Sequence, residues 1–150
     1  MPATLVVGSG PVGMRVGQLL AQRGIRTLVL GDERHEPYNR VRLTPLLSGD
    51  VQFGDITLGP SAPPTADLTV QVGERVIHVD RIARCVETAS GAVLPYATLV
   101  LATGSRAFVP GIPGAGLPGV YPFRTADDAS ALLARSFSAR QATVVGGGLL

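Results

Sequence analysis

Residues 4–13 read TLVVGSGPVG and decide the fold of the chain that follows. A short apolar run, too brief for a helix, leads directly into glycines spaced as G-x-G-x-x-G. From the end of this motif onward, apolar residues recur at the i, i+4, i+7 and i+8 intervals of a helix. These residues are Val12, Val16, Leu19 and Leu20. The spacing predicts a buried strand that turns sharply into a helix at the glycines.

The motif predicts a different structural role for each of its three glycines. Gly8 permits the tight turn, Gly10 lets the backbone approach a pyrophosphate, and Gly13 lets the helix pack closely on the strand. The N–H groups of the first helical turn, with the positive end of the helix dipole, then favour a bound phosphate. Pro11 suits this turn, because its missing N–H would have had no partner within the helix. The motif therefore indicates a phosphate-binding turn.

A second strand and an acidic pair follow the helix. Gly24 is placed to end the helix, and residues 26–30 (RTLVL) read as a buried strand. Asp32 and Glu33 come next, about twenty residues after the last glycine of the motif. A carboxylate at that distance accepts hydrogen bonds from the ribose hydroxyls of an adenine dinucleotide. The combination favours a dinucleotide-binding site over a solvated acidic pair.

Composition narrows the class of protein. The chain has 150 residues, which allows one domain, or one domain and part of another. All 13 basic residues are arginine, the net charge is +2, and the arginines are interleaved with acids, so we expect no nucleic-acid binding. We expect no membrane span, because no apolar run approaches ~18–20 residues and the N-terminus lacks a signal-peptide pattern. A single cysteine allows no intrachain disulfide, which favours the reducing cytoplasm.

Residues 35–49 read as an irregular loop with two arginines of open role. Pro37 and Pro45 forbid a long helix, so we expect a short helix at residues 44–48. Arg40 and Arg42 are either solvated surface charges or cations that face the phosphates or flavin of a bound dinucleotide. Composition does not decide between these alternatives.

Four β-like runs follow a Pro-rich loop at residues 59–64. They span residues 68–72, 76–79, 82–88 and 93–94, with a turn at residues 90–91. Together they predict a small antiparallel meander. We expect His78 and Cys85 within it to be packed or surface residues rather than ligands.

The last third of the chain returns to the α/β pattern. Residues 96–105 (YATLVLATGS) read as a buried strand that stops at small residues, which let backbone approach a dinucleotide. Residues 109–119 are rich in Pro and Gly and predict a connector, and Thr125 is a predicted N-cap of a helix at residues 126–137. Residues 142–150 (ATVVGGGLL) repeat the strand-into-glycine pattern of the start. They predict that a second dinucleotide fold begins there and that the chain is a fragment.

Four stretches carry a resemblance to a known superfamily. They are residues 37–43 (PYNRVRL), 102–105 (ATGS), 123–125 (FRT) and 144–150 (VVGGGLL). With two nucleotide folds in tandem, they resemble FAD- and NAD(P)H-dependent pyridine nucleotide oxidoreductases, and most of all the N-terminal part of the large subunit of NAD(P)H-dependent nitrite reductase. Rubredoxin and ferredoxin reductases share most of these motifs. The chain departs from the family at residues 51–66, where a helix is usual, and at Asn39, where the family has Asp.

The resemblance implies a Rossmann-like FAD-binding domain, with a parallel sheet and an antiparallel β-meander, at residues 1–109. Residues 110–150 would form a linker and the truncated start of a second Rossmann-like domain, which binds NAD(P). Family members pass a hydride from NAD(P)H to FAD, which releases electrons to a small-molecule or redox-protein acceptor, and a homodimer is implied for the full-length protein. No metal site is expected in this chain, because one Cys and two His cannot build an iron–sulfur or sirohaem site. An FAD-binding module without turnover is the alternative.

The resemblance also implies which residues meet the cofactors. The glycine turn would contact the FAD pyrophosphate, Asp32 or Glu33 the ribose, and Val76 the adenine through its backbone. The residues assigned to FAD are Gly8, Ser9, Gly10, Pro11, Val12, Gly13, Asp32, Glu33, Arg40, Val76, Ala102, Thr103 and Gly104, and those assigned to NAD(P)H are Gly146 and Gly148. No catalytic residue is assigned, because the flavin carries the chemistry. Disulfide reductases of the superfamily carry a redox-active cysteine pair in the stretch that corresponds to residues 41–49, where this chain has no cysteine, so we expect electrons to leave the flavin directly.

Overall fold

The computed structural model describes residues 4–59 and 67–146, and the chain forms an α/β fold. The elements in chain order are β1 (Thr4–Val7), α1 (Pro11–Ala21), β2 (Thr27–Leu30), α2 (Leu43–Ser48), β3 (Leu68–Gln71), β4 (Val76–Asp80), β5 (Cys85–Thr88), β6 (Val93–Pro95), β7 (Thr98–Leu101) and α3 (Ala126–Ser136). Short 3-10 helices at Arg40–Arg42 and Phe53–Ile56 flank α2. None of the helices in these two ranges has the length and apolarity that a membrane crossing requires.

A parallel sheet with the order β3-β2-β1-β7 forms the centre of the fold, as the α/β pattern predicts. Thr4 of β1 pairs with Thr27 of β2 on one side and with Thr98 of β7 on the other. Both faces of β1 and β2 are largely buried, which explains their unbroken runs of apolar and β-branched residues. Because the strands are parallel, their carboxyl ends meet at the edge of the sheet where the glycine turn leaves β1.

The prediction that β3 belongs to the antiparallel meander is wrong. β3 lies in the parallel sheet and pairs with β2, from Leu68 opposite Thr27 to Gln71 opposite Leu30. Its residues alternate between partly buried and exposed, as the sequence pattern indicates. Alternation identifies the buried face of a strand but not its partner. The long connection between β2 and β3 allows the crossover that a parallel pair requires.

The other three strands confirm an antiparallel meander in the order β4-β5-β6. Val79 pairs with Val86, and Val86 packs with Leu5 and Leu30 in a core cluster between the two sheets. The predicted strand at residues 82–88 begins later, at Cys85. Ile82 lies in a turn that the Asp80 carboxylate holds, by accepting hydrogen bonds of 2.8 Å from the N–H groups of residues 82 and 83, and its side chain is 98% exposed.

The helical spacing of apolar residues after the glycine turn is confirmed by α1, and the residues that α1 buries against the sheet are mostly small. The buried residues are Gly13, Met14, Gly17 and Ala21, whereas Val12 is 68% exposed. The reason is the short distance between α1 and the sheet, which leaves room at the contact for glycine and alanine but for few larger side chains. The predicted end of the helix is confirmed: Gly24 has φ +72° and its N–H donates to the carbonyl of Ala21 at 2.9 Å.

α2 and α3 pack together with the loop that follows β2. Their cluster of buried residues comprises Tyr38, Leu43, Ile56, Ala126 and Ala129. Thr125 caps α3 as predicted, since its hydroxyl accepts from the N–H of Asp128 and the Asp128 carboxylate accepts from the N–H of Thr125. α3 therefore contacts the part of the chain before residue 109, although it lies beyond the predicted domain boundary.

Residues 141–146 form no helix or strand, so the predicted strand at residues 142–145 is not formed. Val144 and Val145 are exposed, and within the described ranges no strand pairs with them. The backbone N–H and C=O groups of a β-strand need hydrogen bonds to a neighbouring strand. Residues 147–150, including Gly148, lie outside the described residues, and the second dinucleotide fold stays a prediction.

Candidate functional site

Gly8 lies where three strands of the parallel sheet end. Its φ is +114°, which favours glycine, and a Cβ placed on it would overlap the carbonyl oxygen of Ala102 after β7. The Gly8 N–H donates to the carbonyl of Leu30 at 2.8 Å, and the Ala102 N–H donates to the carbonyl of Val7 at 2.8 Å. The predicted tight turn is confirmed, and β7 contributes to it.

Gly13 brings the start of α1 against the glycine turn. A Cβ at Gly13 would overlap the carbonyl oxygen of Gly8, so no other residue fits without a shift of the backbone. The close packing that its position in the motif predicts is therefore confirmed. Gly31, which the sequence reading did not single out, has the same function at the end of β2, where a Cβ would overlap the Ser9 hydroxyl.

Gly10 is the N-cap residue of α1 and faces open space. No atom lies within 4 Å of a Cβ placed on it, and no side chain caps the helix. Pro11 occupies the first helical position, as predicted. The exposed N-terminus of α1 therefore presents its backbone N–H groups and the positive end of the helix dipole to a ligand.

A cleft adjoins this helix end. Its walls are formed by the glycine turn and the loop after β2, through Ser9, Gly10, Glu33, His35, Glu36, Pro37, Tyr38 and Arg40. Three residues of the predicted site besides Gly10, namely Ser9, Glu33 and Arg40, thus come together in one place. The N-cap residue of α1 and the Glu33 carboxylate face the same cleft, and a phosphate linked to a ribose would need a helix N-terminus and a carboxylate placed in this way.

The structure separates the two acidic candidates, Asp32 and Glu33. Asp32 is not among the residues that line the cleft, and Arg75 donates to both of its carboxylate oxygens at 2.8 Å. That hydrogen bonding lowers the pKa of the Asp32 carboxyl group, whose side chain is 55% exposed. The Glu33 side chain is 19% exposed and lines the cleft. The geometry favours Glu33 for contact with a ligand.

Glu33 has two fixed hydrogen-bond donors. The Tyr38 hydroxyl donates to Glu33 Oε2 at 2.6 Å, and Arg40 Nη2 donates to Glu33 Oε1. Burial of Tyr38, followed by its hydrogen bond to Glu33, raises the pKa of the phenol well above its usual range, so it remains a donor. A carboxylate has about four lone-pair sites, so Glu33 retains acceptor capacity for a ligand.

The contacts of the two arginines differ. Arg40 pairs with Glu33 in the cleft, and its Nη1 donates to the carbonyl of Arg124 at 3.1 Å. Arg42 lies at the exposed surface and donates to the carbonyl of Asp55 at 3.0 Å. Arg40 is therefore the cationic residue of the cleft, and Arg42 serves the local structure.

The remaining residues of the predicted site lie outside the lining of the cleft. Val76 begins β4, and the loop before it is tied to the acidic stretch by N–H donors of Gly73 and Glu74 to the carbonyls of Glu33 and Gly31, both at 2.8 Å. Thr103 and Gly104 are exposed after β7, and Gly104 has φ +68°. Gly146 is exposed with φ +111°, and it is not among the residues that line the cleft.

Tyr38 is the residue of the site whose function the sequence reading missed. It is 4% exposed, and its hydroxyl accepts a hydrogen bond of 2.9 Å from the N–H of Ala126 as well as donating to Glu33. His35 was missed too, and it bonds Asp127 of α3 at 2.7 Å. The Tyr-Asn-Arg motif at residues 38–40 was the only available sign of this function. The partner of Tyr38, Ala126, lies 88 residues away along the chain and could not be inferred from the motif.

Known proteins share this fold and these motifs. The sequence pattern described as "Pyridine nucleotide-disulphide oxidoreductase" matches residues 2–150. The chain is 37% identical to nitrite reductase [NAD(P)H] of Bacillus subtilis, over 97% of this chain and 19% of that protein. It is 35% identical to the nitrite reductase [NAD(P)H] large subunit of Klebsiella oxytoca, over 99% of this chain and 16% of that protein.

A solved structure agrees with the sequence relatives. The ferredoxin reductase for the CYP199A2 system from Rhodopseudomonas palustris superposes with a TM-score of 0.75 at 30% identity, over 89% of this chain and 34% of that chain. The chain thus spans about a third or less of the length of these three proteins. The resemblance drawn from the motifs is confirmed. The chain belongs to the pyridine nucleotide-disulphide oxidoreductase family.

Proposed function

We propose that this chain binds FAD and forms the flavin-binding part of an NAD(P)H-dependent oxidoreductase of the nitrite reductase type. One observation carries the proposal: the uncapped N-terminus of α1 and the Glu33 carboxylate face one cleft across a turn that admits no side chain at Gly8 or Gly13. Family membership and the similarity to nitrite reductases support the same activity.

The residues present fit an adenine dinucleotide. Backbone N–H groups at the start of α1 would hold the pyrophosphate, and the open space at Gly10 leaves room for it. Glu33, with its remaining acceptor sites, would bind the ribose hydroxyls, while Arg40 and Tyr38 fix the carboxylate. Val76 would meet the adenine, since the loop before it lies against the acidic stretch. When bound, FAD supplies hydride acceptance and the release of single electrons.

Electron transfer from the flavin would not use a cysteine pair of this chain. Residues 41–49, which include α2, contain no cysteine, and Cys85 lies partly buried in β5, opposite Pro95 and Asp80 of the neighbouring strands. A redox-active pair needs two adjacent thiols. Electrons would therefore pass from the flavin directly to an acceptor.

The proposal extends to the electron acceptor, the oligomeric state and the cellular location. Relatives are named as nitrite reductases and as ferredoxin reductases, so a small molecule or a redox protein fits as acceptor. A homodimer follows from the family resemblance alone, and a cytoplasmic location from the single cysteine. The rival function is a flavin-binding module without turnover.

Turnover separates the two functions. The full-length protein, purified and supplied with FAD, is mixed with NADH or NADPH and an artificial one-electron acceptor. Flavin-dependent reduction of the acceptor is expected, and removal of FAD should abolish it. Bound FAD that NADH and NADPH both fail to reduce would favour the module without turnover, and a protein that takes up no FAD would exclude both functions.

A further inference from the structure

The N-terminal end of α3 is attached to the cleft by several independent contacts. The N–H of Ala126, the first residue of α3, donates to the Tyr38 hydroxyl at 2.9 Å. The carbonyl of Arg124 accepts from Arg40 at 3.1 Å, and Asp127 bonds His35 at 2.7 Å. Each of the three partners lines the cleft. The contact between α3 and the cleft is therefore made by polar groups as well as by the apolar cluster.

Tyr38 joins Glu33 to α3 through a single oxygen atom. Its hydroxyl hydrogen is committed to Glu33 and its lone pair to Ala126, so the two hydrogen bonds fix each other's direction. Phe53 packs against the Tyr38 ring with centroids 5.6 Å apart, and Ala126 is buried. Packing therefore restricts both the Tyr38 ring and Ala126. A displacement of the Glu33 carboxylate would therefore strain or break the contact with α3.

We infer that Tyr38 is a positioning residue that couples occupancy of the cleft to the docking of α3. This inference rests on the proposed FAD function. A ribose bound by Glu33 holds that carboxylate in the orientation that Tyr38 also requires, so the ligand and the Ala126 N–H stabilise the same arrangement. By thermodynamic reciprocity, loss of the bridge weakens ligand binding, and ligand binding protects the first turn of α3.

The chain offers a matched control for the tyrosine hydroxyl. Tyr96 is partly buried in the cluster between the two sheets, and its hydroxyl donates to the carbonyl of Asp80 at 3.4 Å, away from the cleft. Tyr38→Phe and Tyr96→Phe thus remove the same atom from a packed ring. They differ in whether that atom contacts Glu33 and α3.

The experiment measures FAD affinity and amide hydrogen exchange in the full-length protein. Tyr38→Phe should raise the Kd for FAD about tenfold, the loss expected for one hydrogen bond to a charged group. In the wild type, added FAD should slow exchange of the Ala126 amide, and in Tyr38→Phe this protection should be lost. Tyr96→Phe should behave as the wild type in both respects.

Two results would overturn the coupling while leaving FAD binding intact. One is an unchanged Kd in Tyr38→Phe with protection of Ala126 retained, and the other is a raised Kd with that protection undiminished. If Tyr38→Phe fails to fold, Ala126→Pro removes the same hydrogen bond from the other side, at a helix position that tolerates proline. An Ala126→Pro protein with wild-type FAD affinity would contradict the inference. A wild type that binds no FAD would instead refute the proposed function.

Discussion

Gly10→Val should weaken FAD binding while leaving the chain folded. Gly10 has φ −71° and ψ −179°, which any residue adopts, and a Cβ there has no atom within 4 Å. Replacement of glycine by valine at an N-cap costs about 1 kcal/mol of folding free energy. The isopropyl group would fill the space in front of α1, and loss of one or two hydrogen bonds to a phosphate, at about 1.5–3 kcal/mol each, lowers FAD affinity at least about tenfold.

Gly17→Ala is the control, which should lose stability but retain FAD. A Cβ at Gly17 would lie 2.9 Å from Cγ2 of Val29 and 3.0 Å from Cδ1 of Leu68, so the helix is overpacked against the sheet. Overpacking of this kind costs about 2 kcal/mol, and the better helix propensity of alanine returns about 1 kcal/mol. The net loss of about 1 kcal/mol lowers Tm by about 2–4 °C. The position lies roughly 10 Å along the helix from Gly10, so FAD content should remain close to that of the wild type.

Both variants are made in the full-length protein. The FAD-to-protein ratio is measured after purification in the presence of FAD, and Tm is measured by circular dichroism on the apoproteins. The expected result is that Gly10→Val retains much less FAD than Gly17→Ala, while the two variants lose a similar amount of Tm. Equal FAD losses in the two variants would refute the assignment of the glycine turn to phosphate binding.

Three further predictions concern Cys85, α3 and Asp32. Cys85→Ser should leave NAD(P)H-driven reduction of an artificial acceptor within about twofold of the wild type, with a modest fall in Tm; a collapse of turnover with FAD still bound would require a thiol step. Thr125→Ala removes the capping box of α3 and should cost about 1 kcal/mol in denaturant unfolding, whereas Ser138→Ala, beyond the end of α3, should cost much less. The lowered pKa of Asp32 means that its pair with Arg75 stabilises the folded chain above the ordinary value of 3.8, and that this stability is lost as the pH falls through the lower folded-state pKa. Because the pair is half exposed, Asp32→Asn should lessen the loss of unfolding free energy with acid by less than about 1 kcal/mol, and an acid profile identical to that of the wild type would contradict it.

Features that depend on neighbouring residues could be predicted from the sequence. The close approach of Gly13 could be predicted because the backbone that its Cβ would overlap is the carbonyl of Gly8, within the same turn. The cap at Thr125 was found because the capping box joins residues 125 and 128. In each case the physical cause lies within a few residues of its effect, so the local pattern is sufficient.

Features that depend on distant partners could not be predicted. The alternating pattern of β3 is the same for a parallel and an antiparallel neighbour, and its pairing with β2 was missed. Arg40 and Arg42 are equivalent by composition, and only the contact of Arg40 with Glu33 and Arg124 distinguishes them. The spacing of apolar residues predicts α1 itself, but the burial of Gly17 and Ala21 depends on how closely the helix lies against the sheet.

The most direct test of the account is the flavin content of the full-length protein. The purified protein should be yellow, and denaturation should release FAD in an amount equimolar with the chain. A Glu33→Gln variant should retain less FAD than an Asp32→Asn variant, since Glu33 lines the cleft and Asp32 does not. A colourless full-length protein that fails to take up added FAD would contradict the assignment of this cleft to a flavin dinucleotide.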